Sequence, residues 1–231
     1  MRPWFLTLSR APAFIIFIAS FFLPFSSLSQ TNFVALRPDG AWTWYNDPRA
    51  LFHNGVLYFG YVRARDSKTV LSAYDLKTGL ITDLRTRGFS QLHGTDQTFS
   101  YRFSNTTNPV SPADWGAEQV IASSGAGLTY ANPYQLSAES GMLYNYARDL
   151  NFNPTVFTST NGGLSWSSPA LFIRTGTGSI RPYVKYSSDY AQRIDFLYTD
   201  GHPRDVTNSL YHLYYQGGSY YKTDETFVMA Q

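Results

Sequence analysis

The chain has no cysteine in its 231 residues, which excludes disulfides and a lipoprotein attachment site. Charge is also scarce, at 15% of residues, and no run or tail of one sign occurs. A basic stripe or tail is the footprint of nucleic-acid binding, so that class of partner has no support. After residue 30 no stretch keeps a helical period over ten residues, which argues against an α-helical domain. The longest apolar run, Ala13 to Leu23, is short of the roughly 20 residues that a membrane span needs.

That run belongs to a leader. Arg2 and Arg10 form a positive n-region, and Ser27-Leu28-Ser29 places small residues at −3 and −1 of a cleavage site. Residues 1–29 read as a secretory signal peptide and residues 30–231 as the mature protein; an uncleaved N-terminal anchor is the rival reading. The expected location is secreted or periplasmic, and export without disulfides suits a bacterial protein better than a small animal ectodomain. Two of the 18 Lys+Arg leave with the leader and no acid does, so 16 basic residues face 16 acidic ones. No membrane partner is expected once the leader is cut, whereas local arginines are enough to hold an anionic ligand.

What the chain has in quantity is aromatic side chains, 17% of residues, with 18 Tyr and 17 Phe. Aromatics favour strands and fill β cores. They also suit sugar binding, because a tyrosine ring covers a pyranose face while its hydroxyl bonds the ring oxygens. Packing accounts for most of them.

The most specific segment is Ser159-Thr160-Asn161-Gly162-Gly163-Leu164-Ser165-Trp166, which fits S-x-(D/N)-G-G-x-(S/T)-W, the aspartate box or BNR repeat. Asn161 and both glycines accept left-handed backbone angles. Ser159 and Ser165 are placed to bond the turn's own backbone, and Trp166 to fold back as an apolar plug on its blade. Asn161–Gly163 is expected at an exposed hairpin tip. An ordinary hairpin with an N-G-G turn is the plain alternative. The motif speaks to architecture and leaves activity open.

Strand plans repeat around it. Ala50–Val62 reads as two strands joined at Asn54-Gly55, followed by Thr69–Asp75 and Leu80–Leu84. A second set is short: only Phe99–Phe103 and Trp115–Ile121 read as strands. Pro133–Leu136, Met142–Ala147, Thr155–Ser159 and Ala170–Ile173 form a third set. Pro182–Tyr186, Arg193–Tyr198, Ser209–Tyr215 and Tyr220–Lys222 form a fourth. The expected fold is all-β, a β-propeller of about four blades with the second incomplete. No closing strand is visible that would match Phe33-Val-Ala-Leu36, so the chain reads as the first part of a larger ring.

Five further segments carry a resemblance. Gly40–Ala50, Tyr130-Ala-Asn-Pro133, Arg181-Pro-Tyr-Val-Lys-Tyr186, Thr199-Asp-Gly-His-Pro203 and Asn208–Tyr215 occur in order. Over about residues 39–222 the sequence resembles the BNR-repeat family that includes the ulvan lyases. The resemblance implies a seven-bladed propeller and β-elimination on sulfated, uronate-containing polysaccharide. That chemistry neutralises the uronate carboxylate, removes the C5 proton and protonates the departing O4.

Carried over residue by residue, the resemblance gives Tyr130 to proton transfer, Arg148 to the carboxylate and His93 to the second histidine of the family. The first histidine, in an Asp-Asp-His-Asn segment about one hairpin earlier in relatives, has no counterpart here. Arg181 is a candidate substrate-binding residue, or a structural ion-pair partner. His202 and His212 are candidates for a structural zinc site like that of some relatives, although His202 serves equally well in a turn. No cofactor is required by the chemistry. Each residue also has a plain reading: His93 as a loop histidine, Tyr130 as packing, Arg148 as a partner of Asp149. Two functions follow: a secreted lyase acting on acidic polysaccharide, intact or degenerate, or a non-catalytic glycan-binding propeller. A hydrolytic sialidase needs three arginines around a carboxylate and a Tyr/Glu nucleophile pair, and no such arrangement is visible.

Overall fold

The structure, a computed structural model, describes residues 35–41, 49–89, 98–122, 128–178 and 180–231. Residues 35 and 36 end an N-terminal unit, Met1–Leu36, and all elements below belong to the second unit, Arg37–Gln231. The leader 1–29 and His93 lie outside the described residues.

Four antiparallel sheets, none closed into a barrel, make up the described fold. The first has β1 (Arg49–His53), β2 (Val56–Val62), β3 (Lys68–Asp75) and β4 (Ile81–Phe89) in that spatial order. The second pairs β5 (Thr98–Tyr101) with β6 (Gln119–Ala122). The third runs β10 (Ala170–Leu171), β9 (Pro154–Ser159), β8 (Leu143–Arg148), β7 (Thr129–Gln135). The fourth runs β11 (Val184–Ser188), β12 (Arg193–Thr199), β13 (Leu210–Gln216), β14 (Ser219–Lys222), β15 (Phe227–Ala230). Among the described residues the only helical pieces are three 3₁₀ turns, and no helix is long and apolar enough to cross a membrane.

The sheets follow the expected grouping, with two strands in the second where its neighbours have four or five. Strand β15 is the addition. Four exposed residues give too short a pattern to read, and its pairing with β14 needs a turn in which Glu225 is left-handed (φ 66°).

Turn chemistry holds the registers. Asn54 and Gly55 are both left-handed (φ 47° and 79°), as are Gly217 and Gly218 (57° and 78°), the combination that tight two-residue hairpins require. Asp75 and Asp189 close their turns by accepting backbone N–H bonds, from Lys77 and Thr78 and from Ala191, Gln192 and Arg193. Those bonds favour the carboxylate and hold both acids below their usual range.

The main core lies between the third and fourth sheets. Alternation on β8 sends Tyr144 and Tyr146 into it; Phe196, Leu213, Tyr215 and Tyr220 meet them from the fourth sheet. Their hydroxyls must be satisfied inside. Tyr144 and Tyr215 lie 2.6 Å apart at their oxygens, and both donate to the Glu139 carboxylate. Tyr220 donates to Gln231 Oε1 at 2.9 Å. Burial raises the pKa of Tyr144, Tyr146, Tyr215 and Tyr220, so these phenols stay neutral.

The Ser159–Trp166 turn is bonded as its residue types demand. Ser159 Oγ donates to Asn161 Oδ1 at 2.9 Å and accepts from Gly163 N at 2.9 Å. Asn161 Nδ2 donates to Ser165 Oγ at 2.8 Å, and Ser165 N returns a bond to Asn161 Oδ1 at 3.0 Å. Asn161 and Gly162 are exposed, but Gly163 is buried, because the second sheet covers it. Tyr101 OH donates to Gly163 O at 2.6 Å. Trp166 packs beyond its own sheet as well, with ring centroids 6.1 Å from Phe99 and 6.0 Å from Tyr101. The turn thus ties the third sheet to the second.

A measurable ordering follows at the two glycines. A Cβ on Gly162 (φ 69°) meets open space, whereas one on Gly163 (φ 90°) lies 3.1 Å from Phe103 Cζ and 3.3 Å from Leu143 Cδ1. Gly162→Ala should cost about 1–2 kcal/mol of backbone strain. Gly163→Ala should add about 1–3 kcal/mol of overpacking, each kcal/mol being worth roughly 2–4 °C in a domain of this size. Thermal melts in which Gly163→Ala loses no more than Gly162→Ala would contradict the packing of the second sheet on this turn.

Candidate functional site

Two sheets contribute side chains to one group. From the third come Tyr130 on β7 and Arg148 at the end of β8; from the approach to and exit from β11 and β12 come Arg181, Tyr183 and His202. The pairing of β7 with β8 shifts register between Thr129 and Asn132, so Tyr130 sits in a bulge. Tyr130 is left-handed there (φ 58°), an uncommon state for a bulky residue. Asn132 holds the bulge by donating from Nδ2 to Tyr130 O and, at 3.3 Å, to Tyr146 O. Bulges re-aim side chains beside functional sites.

Arg148 is 7% exposed. Its Nε donates to Phe152 O at 2.7 Å, across a turn in which Asn151 and Phe152 are both left-handed (φ 55° and 59°). Its guanidinium carbon lies 4.5 Å from the Tyr183 ring centre and 5.9 Å from that of Tyr130. Tyr130 and Tyr183 are 6.4 Å apart between centroids, and His202 meets Tyr183 edge-on at 5.5 Å. A permanently charged cation is thus walled by two phenol rings.

Arg181 joins from the other side of the same turn. Its Nε donates to Asn151 O at 2.5 Å, Nη2 donates to Asn151 Oδ1 at 3.0 Å, and its guanidinium sits 5.4 Å from the Phe152 ring centre. It props the turn that carries the carbonyl bonded by Arg148.

Burial raises the Tyr130 pKa; nearby Tyr183 adds to the rise and the Arg148 cation opposes it. An ordinary phenol is already only about one part in 1000 ionised at neutral pH, so Tyr130 is a hydrogen donor there. His202 Nδ1 accepts from Arg204 N at 3.0 Å, which places the proton of the neutral ring on Nε2 and makes His202 a donor too.

The candidate residues part company in one respect. Tyr130, Arg148 and His202 gather about Tyr183, which sequence reasoning had placed only within a motif, and Arg181 lies against the neighbouring Asn151–Phe152 turn. His212 stands apart in the middle of β13, with Nε2 3.0 Å from Asp195 Oδ1 and Nδ1 2.8 Å from Thr223 Oγ1. Among the described residues no three His, Asp or Glu side chains converge to hold a metal ion. His202 and His212 therefore have separate partners, the first on a tyrosine ring and the second on an acid. The signal for Tyr183 was its position two residues after Arg181; its role needed the contact across sheets.

The chain matches no protein-family model and no curated protein sequence. Its fold is similar to that of an ulvan lyase of polysaccharide lyase family PL25 bound to -[GlcA(1-4)Rha3S]-, with TM-score 0.57, 14% identity, and coverage of 78% of this chain and 54% of that one. A second ulvan lyase structure of that family aligns with TM-score 0.56 at 14% identity and the same coverage. The fold is thus polysaccharide-lyase-like, and the chain spans about half the length of these neighbours.

Because Arg148 lowers and burial raises the Tyr130 pKa, Arg148→Ala should move Tyr130 to a still higher value. Tyrosine ring-carbon NMR titration of the full chain reads this directly. An unchanged or lowered Tyr130 midpoint in the variant would show that the guanidinium does not act on this phenol.

Proposed function

We propose that this is a β-propeller protein of the lyase-like kind that binds uronate-containing polysaccharide in the cleft around Arg148, and that it eliminates the bound chain slowly. The observation that carries the reading is the buried Arg148 guanidinium, 4.5 Å from the Tyr183 ring centre and beside Tyr130. A planar cation suits a carboxylate, and aromatic walls suit sugar faces. The ulvan lyase neighbour carries a glucuronate-containing ligand, which supports the same substrate class here. The Ser159–Trp166 turn and the succession of antiparallel sheets support the propeller. The leader-like residues 1–29 support secretion or export to the periplasm.

In the reaction proposed, Arg148 neutralises the uronate carboxylate so that C5 can lose its proton. The electron pair left at C5 forms the C4=C5 double bond as the C4–O4 bond breaks, and the Tyr130 phenol donates its proton to O4. The base is the weak part. Tyr130 is protonated, and His202 presents a donor at Nε2. His93 matches the family's second histidine by resemblance and is proposed here to take the C5 proton, while the family's other histidine has no counterpart in this sequence. General acid or base groups contribute about 10²–10⁴-fold each, so binding should outlast turnover.

Incubation with ulvan should therefore give binding and only a slow rise in the ultraviolet absorbance of the unsaturated uronate product. Arg148→Ala should abolish binding, and Tyr130→Phe should remove residual elimination while sparing binding. A fast rise that survives Tyr130→Phe would overturn the assignment of the acid. Binding that survives Arg148→Ala would overturn the site.

A further inference from the structure

We infer that Arg181 is a positioning residue: acting through the Asn151–Phe152 turn, it sets where the Arg148 guanidinium stands beside the Tyr130 and Tyr183 rings. The inference rests on the reading of Arg148 as the cation of the site and adds the device that keeps it in place. It gives Arg181 a role other than the two expected from sequence, contact with substrate or an ion pair.

Among the described residues, the hydrogen bonds and the ring contact of Arg181 all go to that turn. Nε donates to Asn151 O, Nη2 donates to Asn151 Oδ1 at 3.0 Å, and the guanidinium carbon lies 5.4 Å from the Phe152 ring centre. A rigid fork of donors grips the backbone and the side chain of one residue at once, which a flexible ammonium does not reproduce.

The turn needs such a grip. Asn151 and Phe152 are both left-handed (φ 55° and 59°), a state that costs of order 1–3 kcal/mol for each. Phe152 N donates to Asp149 O at 2.5 Å and Asn153 N to Leu150 O at 3.2 Å, which closes the turn locally. Arg181 fastens it to the approach to β11.

Arg148 hangs on the result. Among the described residues its guanidinium makes one hydrogen bond, from Nε to Phe152 O at 2.7 Å. The backbone angles of the turn aim that carbonyl, so a turn that relaxes to right-handed angles swings the acceptor away. The placement of the cation, 4.5 Å from the Tyr183 ring centre and 5.9 Å from that of Tyr130, then goes with it. Tyr183 and Arg148 are the titratable or charged groups that act on the Tyr130 phenol. An effect of Arg181 on Tyr130 therefore passes through Arg148.

The test is NMR on the full chain, labelled with ¹⁵N and with ¹³C at the tyrosine rings. Two quantities are read: exchange of the Arg148 Nε–H with water, and the titration midpoint of Tyr130. Arg181→Gln and Arg181→Lys should both speed the exchange about tenfold, the loss expected when a charged hydrogen bond is released. Both should raise the Tyr130 midpoint. In an Arg148→Ala background, Arg181→Gln should leave that midpoint where Arg148→Ala alone puts it. Unchanged amide signals along β12 and β13 report an intact fold. Three results overturn the inference: an unaltered Arg148 Nε–H in Arg181→Gln, wild-type behaviour in Arg181→Lys, or a further shift of Tyr130 in the double variant. The second would make charge rather than grip the agent, and the third would make Arg181 act on Tyr130 directly. Binding of ulvan is measured separately. Coupling without ulvan binding would uphold the role of Arg181 while removing the polysaccharide reading, and ulvan binding without coupling would do the reverse.

Discussion

Glu139 receiving the hydroxyls of Tyr144 and Tyr215 is the constraint on which the rest of the structure turns. A core built from tyrosine gains ring area but carries polar atoms that need partners once they are dry. Here one carboxylate from the 3₁₀ turn after β7 accepts from a tyrosine of its own sheet and from one of the next. This fixes how the third and fourth sheets meet. Tyr130 and Arg148 belong to the third, and Tyr183 and His202 flank the fourth, just before β11 and just after β12. The distances in the site are therefore consequences of how phenols were satisfied in the core.

Backbone strain is concentrated where the site is built. Tyr130, Asn151 and Phe152 all occupy the left-handed region, at a cost of order 1–3 kcal/mol each. Each is held by named bonds: Asn132 on Tyr130 O, Arg148 on Phe152 O, Arg181 on Asn151. The two arginines thus hold the backbone as well as carrying charge. This coupling links side chain and backbone: moving either guanidinium releases a turn that prefers another conformation.

The chemistry available follows from protonation more than from position. Arg148 is always charged, Tyr130 is held protonated by burial, and the bond from Arg204 N fixes the neutral His202 as a donor. A cluster of a cation and donors holds anions and sugar oxygens well. It removes a proton from carbon poorly, since that step needs a lone pair in place. Recognition and turnover are separable in such a group.

Much was legible in the sequence for local reasons. Asn54-Gly55 and Gln216-Gly-Gly218 mark tight hairpins because few residues tolerate left-handed angles. The Ser159–Trp166 turn announces its bonds through residue type, and alternation along β8 sends Tyr144 and Tyr146 to one core cluster and Ala147 to another. The family resemblance also selected Tyr130 and Arg148, which the fold brings within cation–ring contact. Local rules could not give what depends on pairs of sheets. Gly163 looked like a hairpin tip, yet Tyr101 of another sheet and Phe103 just beyond that strand bury it. His202 and His212 looked like a pair because they are ten residues apart, but a strand and a loop send them to Tyr183 and Asp195. Tyr183 became central only through its 4.5 Å contact with Arg148. Sequence determined the strands, turns and residue inventory, because those depend on neighbours along the chain. Tertiary structure decided which side chains share a cleft and which proton each carries, because burial and charge are set by what arrives from elsewhere.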